Sequence, residues 1–155
     1  MQTLLAVDLG LRAGLALFRK DRQLLWYRSL NFGSITRMRS GVYSILSSIP
    51  NLGWVILEGG GSLSKPWLHE VKRREIPVHQ IGAERWRQVL LHPRQQRNGT
   101  RSKQSADELA RQVITWANGP QPTSLRHDAA EAILIGLWGM IEVGWLDGVP
   151  IEFRK

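Results

Sequence analysis

The chain has 155 residues, enough for one domain with a single core and too few for two full ones. Its make-up, 43% hydrophobic and 22% charged, argues against wholesale disorder, and the lack of cysteine excludes a disulfide framework and any thiolate metal site. Against 13 acidic residues stand 21 Lys and Arg, a formal charge of +8 that fits a polyanionic partner such as nucleic acid or an anionic membrane surface.

In chain order, TLLAVDLG is a short apolar run ended by Asp-x-Gly, AGLALFRK is a second, and QLLWYRSLNF a third with rough alternation. These read as three strands joined by tight turns, at Gly10 to Gly14 and at KDRQ. TRMRSGVYSILSSI has helical spacing of Met38, Val42, Ile45, Leu46 and Ile49, and Pro50 closes it. WVILEGGG predicts a fourth strand, almost wholly apolar as a central one should be. A glycine-rich bend leads to a helix around Leu68 to Arg74, and IPVHQIG predicts a fifth strand. AERWRQVLL and KQSADELARQVITWA read as two helices separated by the polar stretch HPRQQRNGTR. LRHDAAEAILIGLWGMIEV is the last helix, and GWLDGVPIEFRK has turn residues with no clear period. The pattern predicts an α/β domain over residues 1–141, a mixed five-stranded sheet with helices packed on it, and a C-terminal tail over 142–155.

The charge-free run from Ala132 to Ile141 falls well short of the roughly 20 residues that a spanning helix needs. Asp8 and Arg12 interrupt the first apolar segment before it could serve as a signal-peptide core. A cytoplasmic protein with no membrane partner is the expectation.

Four acidic residues stand out. Asp8 and Glu58 each end an apolar strand and precede glycine, and Asp128 and Glu131 lie three apart in HDAAEA, on one face of the last helix. Singly, each has an ordinary explanation: a turn, a loop charge, a helix start complementing the dipole. Together they place acid beside apolar sequence in a chain that is basic nearly everywhere else. If strands one and four are neighbours, Asp8 and Glu58 meet at the sheet end where ligand sites of open α/β sheets form. Clustered carboxylates repel, so such a group is best explained by hard divalent cations, Mg²⁺ or Mn²⁺. Two such ions would suit in-line phosphoryl displacement, the chemistry of nucleases. From Lys72 to Lys103 inclusive there are nine Lys or Arg residues against Glu75 and Glu84, with Trp67 and Trp86 beside or among them. That stretch reads as a nucleic-acid face or as a solvated surface, with the tryptophans in the core.

AVDLGLRAG, VILEG and HDAAEAILIGLWG, in this order and spacing, resemble the RNase H-like superfamily and specifically RuvC-type Holliday junction resolvases. IPVHQIGAERWRQVLL and KQSADELARQV extend the resemblance, which runs from Leu4 to about Ile141. It implies an RNase H-like sheet with helices on both faces. It also implies a catalytic, metal-binding centre of Asp8, Glu58, Asp128 and Glu131 for two Mg²⁺ ions, with Mn²⁺ able to substitute. Lys103 is similar to the family's catalytic lysine, and Glu131 departs from the Asp of many relatives. His127 would be an ordinary helix-start residue, or a support or ligand at the centre. Contacts to nucleic acid are expected from Lys65, Trp67, Lys72, Arg73, Arg74, Arg101 and Lys103, with Leu63 and Trp67 as wedge or stacking residues. The implied partners are branched DNA, a four-way junction, and a second copy of the chain, with the helix from Leu68 to Arg74 as a candidate dimer element. Three rivals share the scaffold: a YqgF-type RNA-processing nuclease, a catalytically silent nucleic-acid binder, and an actin-like ATPase, which needs two such domains.

Overall fold

The computed structural model describes residues 1–91 and 99–154, with side chains from Lys103 onward in the second segment. Five strands form one sheet: β1 (Thr3–Asp8), β2 (Arg12–Arg19), β3 (Leu24–Asn31), β4 (Leu52–Glu58) and β5 (Val78–Ile81). Their order is β3-β2-β1-β4-β5, with β1 antiparallel to β2 and parallel to β4. The first three strands are a meander because the turns between them are short. β4 and β5 are parallel to β1 because helices carry the crossovers.

Alternation along the strands divides the core in two. Leu4, Ala6, Ala16, Phe18 and Ile56 face α3 (Ala83–Leu90), α4 (Gly99–Trp116) and α5 (His127–Glu142). Leu5, Val7, Leu15, Leu17, Val55 and Leu57 face α1 (Ile35–Ser48) and α2 (Lys65–Arg73). This is the expected mixed sheet with helices on both faces. Ser34 caps α1 by accepting from the Arg37 N–H at 3.2 Å. α5 is buried at every residue from Ala129 to Met140, since the sheet lies under it and α4 and the tail lie against it. In the tail, Trp145, Leu146, Val149 and Phe153 join the same core as α5.

Two boundaries differ from the sequence reading. α4 begins at Gly99, so the end of the polar stretch before Lys103 is helical. α2 begins at Lys65, three residues early, with Pro66 in its first turn where a missing N–H costs nothing.

At the start of α5, one glycine of β2 sets how closely the helix approaches the sheet. A Cβ on Gly14 would lie 1.8 Å from the Asp128 carbonyl oxygen and 2.9 Å from the Ala129 nitrogen, both backbone atoms. Gly14→Ala is therefore expected to destabilise the fold by about 2–3 kcal/mol or more. The measurement is the urea midpoint, and an unchanged midpoint would mean that α5 does not rest on β2 in this way.

Candidate metal centre

A single row across the sheet builds the site. Parallel pairing sets Asp8 opposite Glu58, and antiparallel pairing sets Asp8 opposite Gly14 and Gly14 opposite Ser29. Residues paired in a row point to the same face. Asp8, Glu58 and Ser29 thus share the face on which α5 lies, and the bare Gly14 between them lets the first turn of α5 descend onto the row. Beyond Glu58 the chain turns away at Gly59, whose φ of +117° belongs to glycine.

From that turn of α5, Glu131 completes a group of three. Asp8, Glu58 and Glu131 each offer one carboxylate oxygen, and these oxygens lie within 4.8 Å of one another. Asp8 and Glu58 are half-buried and Glu131 is 6% exposed. Crowding shows in the protonation of Asp8, which is pushed up to about 8, first by burial and then by the charges of Glu131 and Glu58. Burial also raises Glu58, against a hydrogen bond from the Trp86 indole that lowers it.

Asp128 stands one turn away and takes a different role from the other three. Its Oδ2 accepts from Ser29 Oγ at 2.9 Å and its Oδ1 from the Ala129 N–H at 2.8 Å, which ties the start of α5 to β3. Its charge still reaches the group, as the last of the influences raising Asp8.

Three partners of the carboxylates escaped the sequence reading. Ser29 is one. Trp86 Nε1 donates to Glu58 Oε2 at 2.9 Å, and Arg87 Nη2 donates to Glu131 Oε1 at 2.7 Å, so consecutive residues of α3 hold two of the three acids. His127 Nε2 also lies 3.1 Å from Glu131 Oε1. The signal available in the sequence was the Trp-Arg pair just after β5, which the pairing with β4 brings beside Glu58.

The remaining expected residues spread over two clefts. Lys103, exposed on α4, lines an open cleft of about 440 Å³ with Asp107, Leu125 and His127, the first residue of α5. Lys65 lines another of about 610 Å³ with Arg39, His69 and Glu70. Lys72 is exposed, while Arg73 and Arg74 both pair with Glu70, at 2.9 and 3.2 Å. The Arg101 side chain lies outside the described residues. Trp67 departs from the expectation: it is wholly buried in the core under α1 and α2, so no base can stack on it there. The apolar stripe of α2 needed a large residue to fill the space against the sheet. Leu63 is half-buried and packs against the same core.

The donor set is hard and anionic. Its three carboxylate oxygens lie within 4.8 Å of one another with no sulfur or imidazole among them, and burial, followed by the charges of the other two acids, drives Asp8 to keep its proton. Those properties fit a hard divalent cation, which would remove the repulsion that burial intensifies.

No helix among the described residues is long and apolar enough to cross a membrane. No protein-family model matches the chain, and no curated protein matches it in sequence. Among solved structures it is similar to the Fowlpox virus resolvase, determined in complex with its substrate Holliday junction DNA. The two superpose with a TM-score of 0.63 at 15% identity, over 92% of this chain and 99% of the resolvase. A ROK family protein from Streptococcus pneumoniae, in complex with sucrose, matches 57% of this chain and 37% of its own at 16% identity, and its TM-score of 0.44 bears no weight. The chain shares the fold of that resolvase, a mixed five-stranded sheet with helices on both faces, and its own acidic group lies at the ends of the parallel strands β1 and β4.

Proposed function

We propose that the chain is a metal-dependent, structure-selective endonuclease that resolves four-way DNA junctions by paired phosphodiester hydrolysis. The observation that carries this reading is the in-register meeting of Asp8 and Glu58, completed by Glu131 from α5. A basic protein has no electrostatic reason to keep acids together at a strand end if it only holds nucleic acid. The resolvase likeness over nearly the whole chain gives the fold on which this centre would act on a junction.

Asp8, Glu58 and Glu131 would hold Mg²⁺ or Mn²⁺, and Asp128 would join them. The chemistry such ions supply when bound is polarisation of the phosphodiester and activation of water. The residues of this chain do the rest. Strand pairing sets Asp8 and Glu58 side by side on one face of the sheet. Trp86 orients Glu58, and Ser29 orients Asp128. Lys103, which lines a cleft with His127, would offset charge developing on the phosphate. Lys65 and Lys72 are exposed on α2, where they would contact the DNA backbone. Paired nicks require two centres, and a symmetric homodimer would supply them.

The test compares intact junction, linear duplex, RNA:DNA hybrid and structured RNA at near-physiological salt, reading bound fraction in Ca²⁺ and nicks in Mg²⁺. The junction is expected to bind most tightly and to receive paired nicks near the branch, with none in excess chelator. Preferred cutting of hybrid or RNA would move the chain to RNA processing. Tight junction binding without cutting in any divalent metal would leave a silent binder.

A further inference from the structure

Arg87 is the one cation whose hydrogen bond to the acidic group is resolved among the described residues, and its position bears on how that group receives an ion. Its guanidinium meets Glu131 Oε1 at 2.7 Å, with the carboxylate 8% and the arginine 33% exposed. A charge-assisted bond in so sheltered a place is strong, and little water intervenes to screen it. His127 Nε2 lies 3.1 Å from the same oxygen. An ion drawn to Glu131 must therefore share the carboxylate with a fixed positive charge or push it aside.

The placement of Arg87 on α3 makes this a built feature. Its neighbour Trp86 is fully buried and anchored on Glu58, which fixes the helix that carries the guanidinium. Arg87 also lies over the Trp86 ring, 5.1 Å from its centroid, so its side chain is held by packing as well as by charge. A surface arginine answering a general negative potential would have neither constraint.

We propose that Arg87 is a resident counter-charge of the centre, a positioning residue that holds Glu131 in place and in doing so holds down the affinity of the group for divalent cations. This rests on the metal-binding reading of the acidic group. Removing the charge should then tighten metal binding, whereas losing a residue that merely orients a ligand would weaken it.

Mn²⁺ binding to the full chain without DNA, followed by electron paramagnetic resonance of the free ion, separates the possibilities. Arg87→Gln keeps a hydrogen-bond donor and loses the charge, so it should bind Mn²⁺ at least about ten-fold tighter, as removal of a partly screened unit charge beside a divalent ion implies. Arg87→Lys keeps the charge and should stay within about three-fold of the native chain, since only the second arm of the guanidinium is lost. In chelator, Arg87→Gln should melt lower than the native chain, and saturating Mn²⁺ should close most of that gap. Equal or weaker Mn²⁺ binding by Arg87→Gln overturns the proposal. If the native chain binds no Mn²⁺ that Glu131→Gln abolishes, the metal centre itself fails and this inference with it. If Arg87→Gln proves too unstable to titrate, Arg87→Lys decides: a loss or gain of ten-fold with the charge retained overturns it.

Discussion

Asp8→Asn and Glu58→Gln are each expected to lower the rate of junction cutting by about 10²–10³-fold or more while leaving junction affinity equal or higher. Both substitutions keep the shape of the side chain and remove one negative charge. An amide oxygen is a poor ligand for a hard divalent ion beside a carboxylate, so the loss falls on the chemical step. The paired ends of β1 and β4 set the two residues side by side, so each substitution removes one ligand from the group. Binding escapes because a charge beside the DNA backbone is gone. Folding escapes too: Glu58→Gln still offers an oxygen to the Trp86 indole, and Asp8→Asn relieves the burial and repulsion that Asp8 suffers. Single-turnover nicking in Mg²⁺ and bound fraction in Ca²⁺ give the two readings. Cutting by Asp8→Asn at the native rate would return Asp8 to the part of a simple turn residue.

How far the centre could be read from sequence depended on what kind of contact made it. Asp8 and Glu58 were legible because each closes an apolar run before glycine, a local pattern, and the strand order then placed them side by side. The Asp128 and Glu131 pair was legible as one helix face, yet the fold separates their tasks. Glu131 turns inward over the sheet and Asp128 reaches sideways to Ser29, a difference of one helical turn that spacing does not reveal. Arg87 was hidden in a basic stretch, where every cation looked like a contact for a polyanion. Its partner is 44 residues away in sequence and meets it only because α3 and α5 pack on the same face. Trp86 and Trp67 looked alike as core tryptophans, and both are buried. Only Trp86 has its indole N–H directed at an acid, and that follows from where β5 ends, which no local pattern encodes.

In chelator, the protein should lose stability as pH rises from about 5 to about 8, and divalent metal should restore it increasingly over the same range. Asp8 sets the sign. Its ordinary carboxyl value is 3.8 and its value in the fold is about 8, so between these limits the unfolded chain has released a proton that the folded chain retains. Stability then falls with pH, by at most about 1.4 kcal/mol per pH unit for one group, and the loss is complete once both states are ionised. Glu58 is raised as well and acts in the same direction. Asp21 and Glu70 do the reverse: arginine hydrogen bonds hold both below their ordinary range, so their contribution is lost only as pH falls toward strong acid. Above pH 5 the slope therefore reports the acidic centre. A bound divalent ion has no proton to displace above pH 8 and stabilises the fold by mass action, so its effect grows with pH. The melting temperature in Mn²⁺ should exceed that in chelator by about 5 °C or more at pH 8.5, on the scale of roughly 2–4 °C per kcal/mol for a chain of this size, and by little at pH 5.5. Asp8→Asn should flatten the slope in chelator and shrink the metal effect together. A melting temperature that climbs with pH in chelator, or a slope untouched by Asp8→Asn, would show that Asp8 does not carry the crowding that the row of paired strand ends implies.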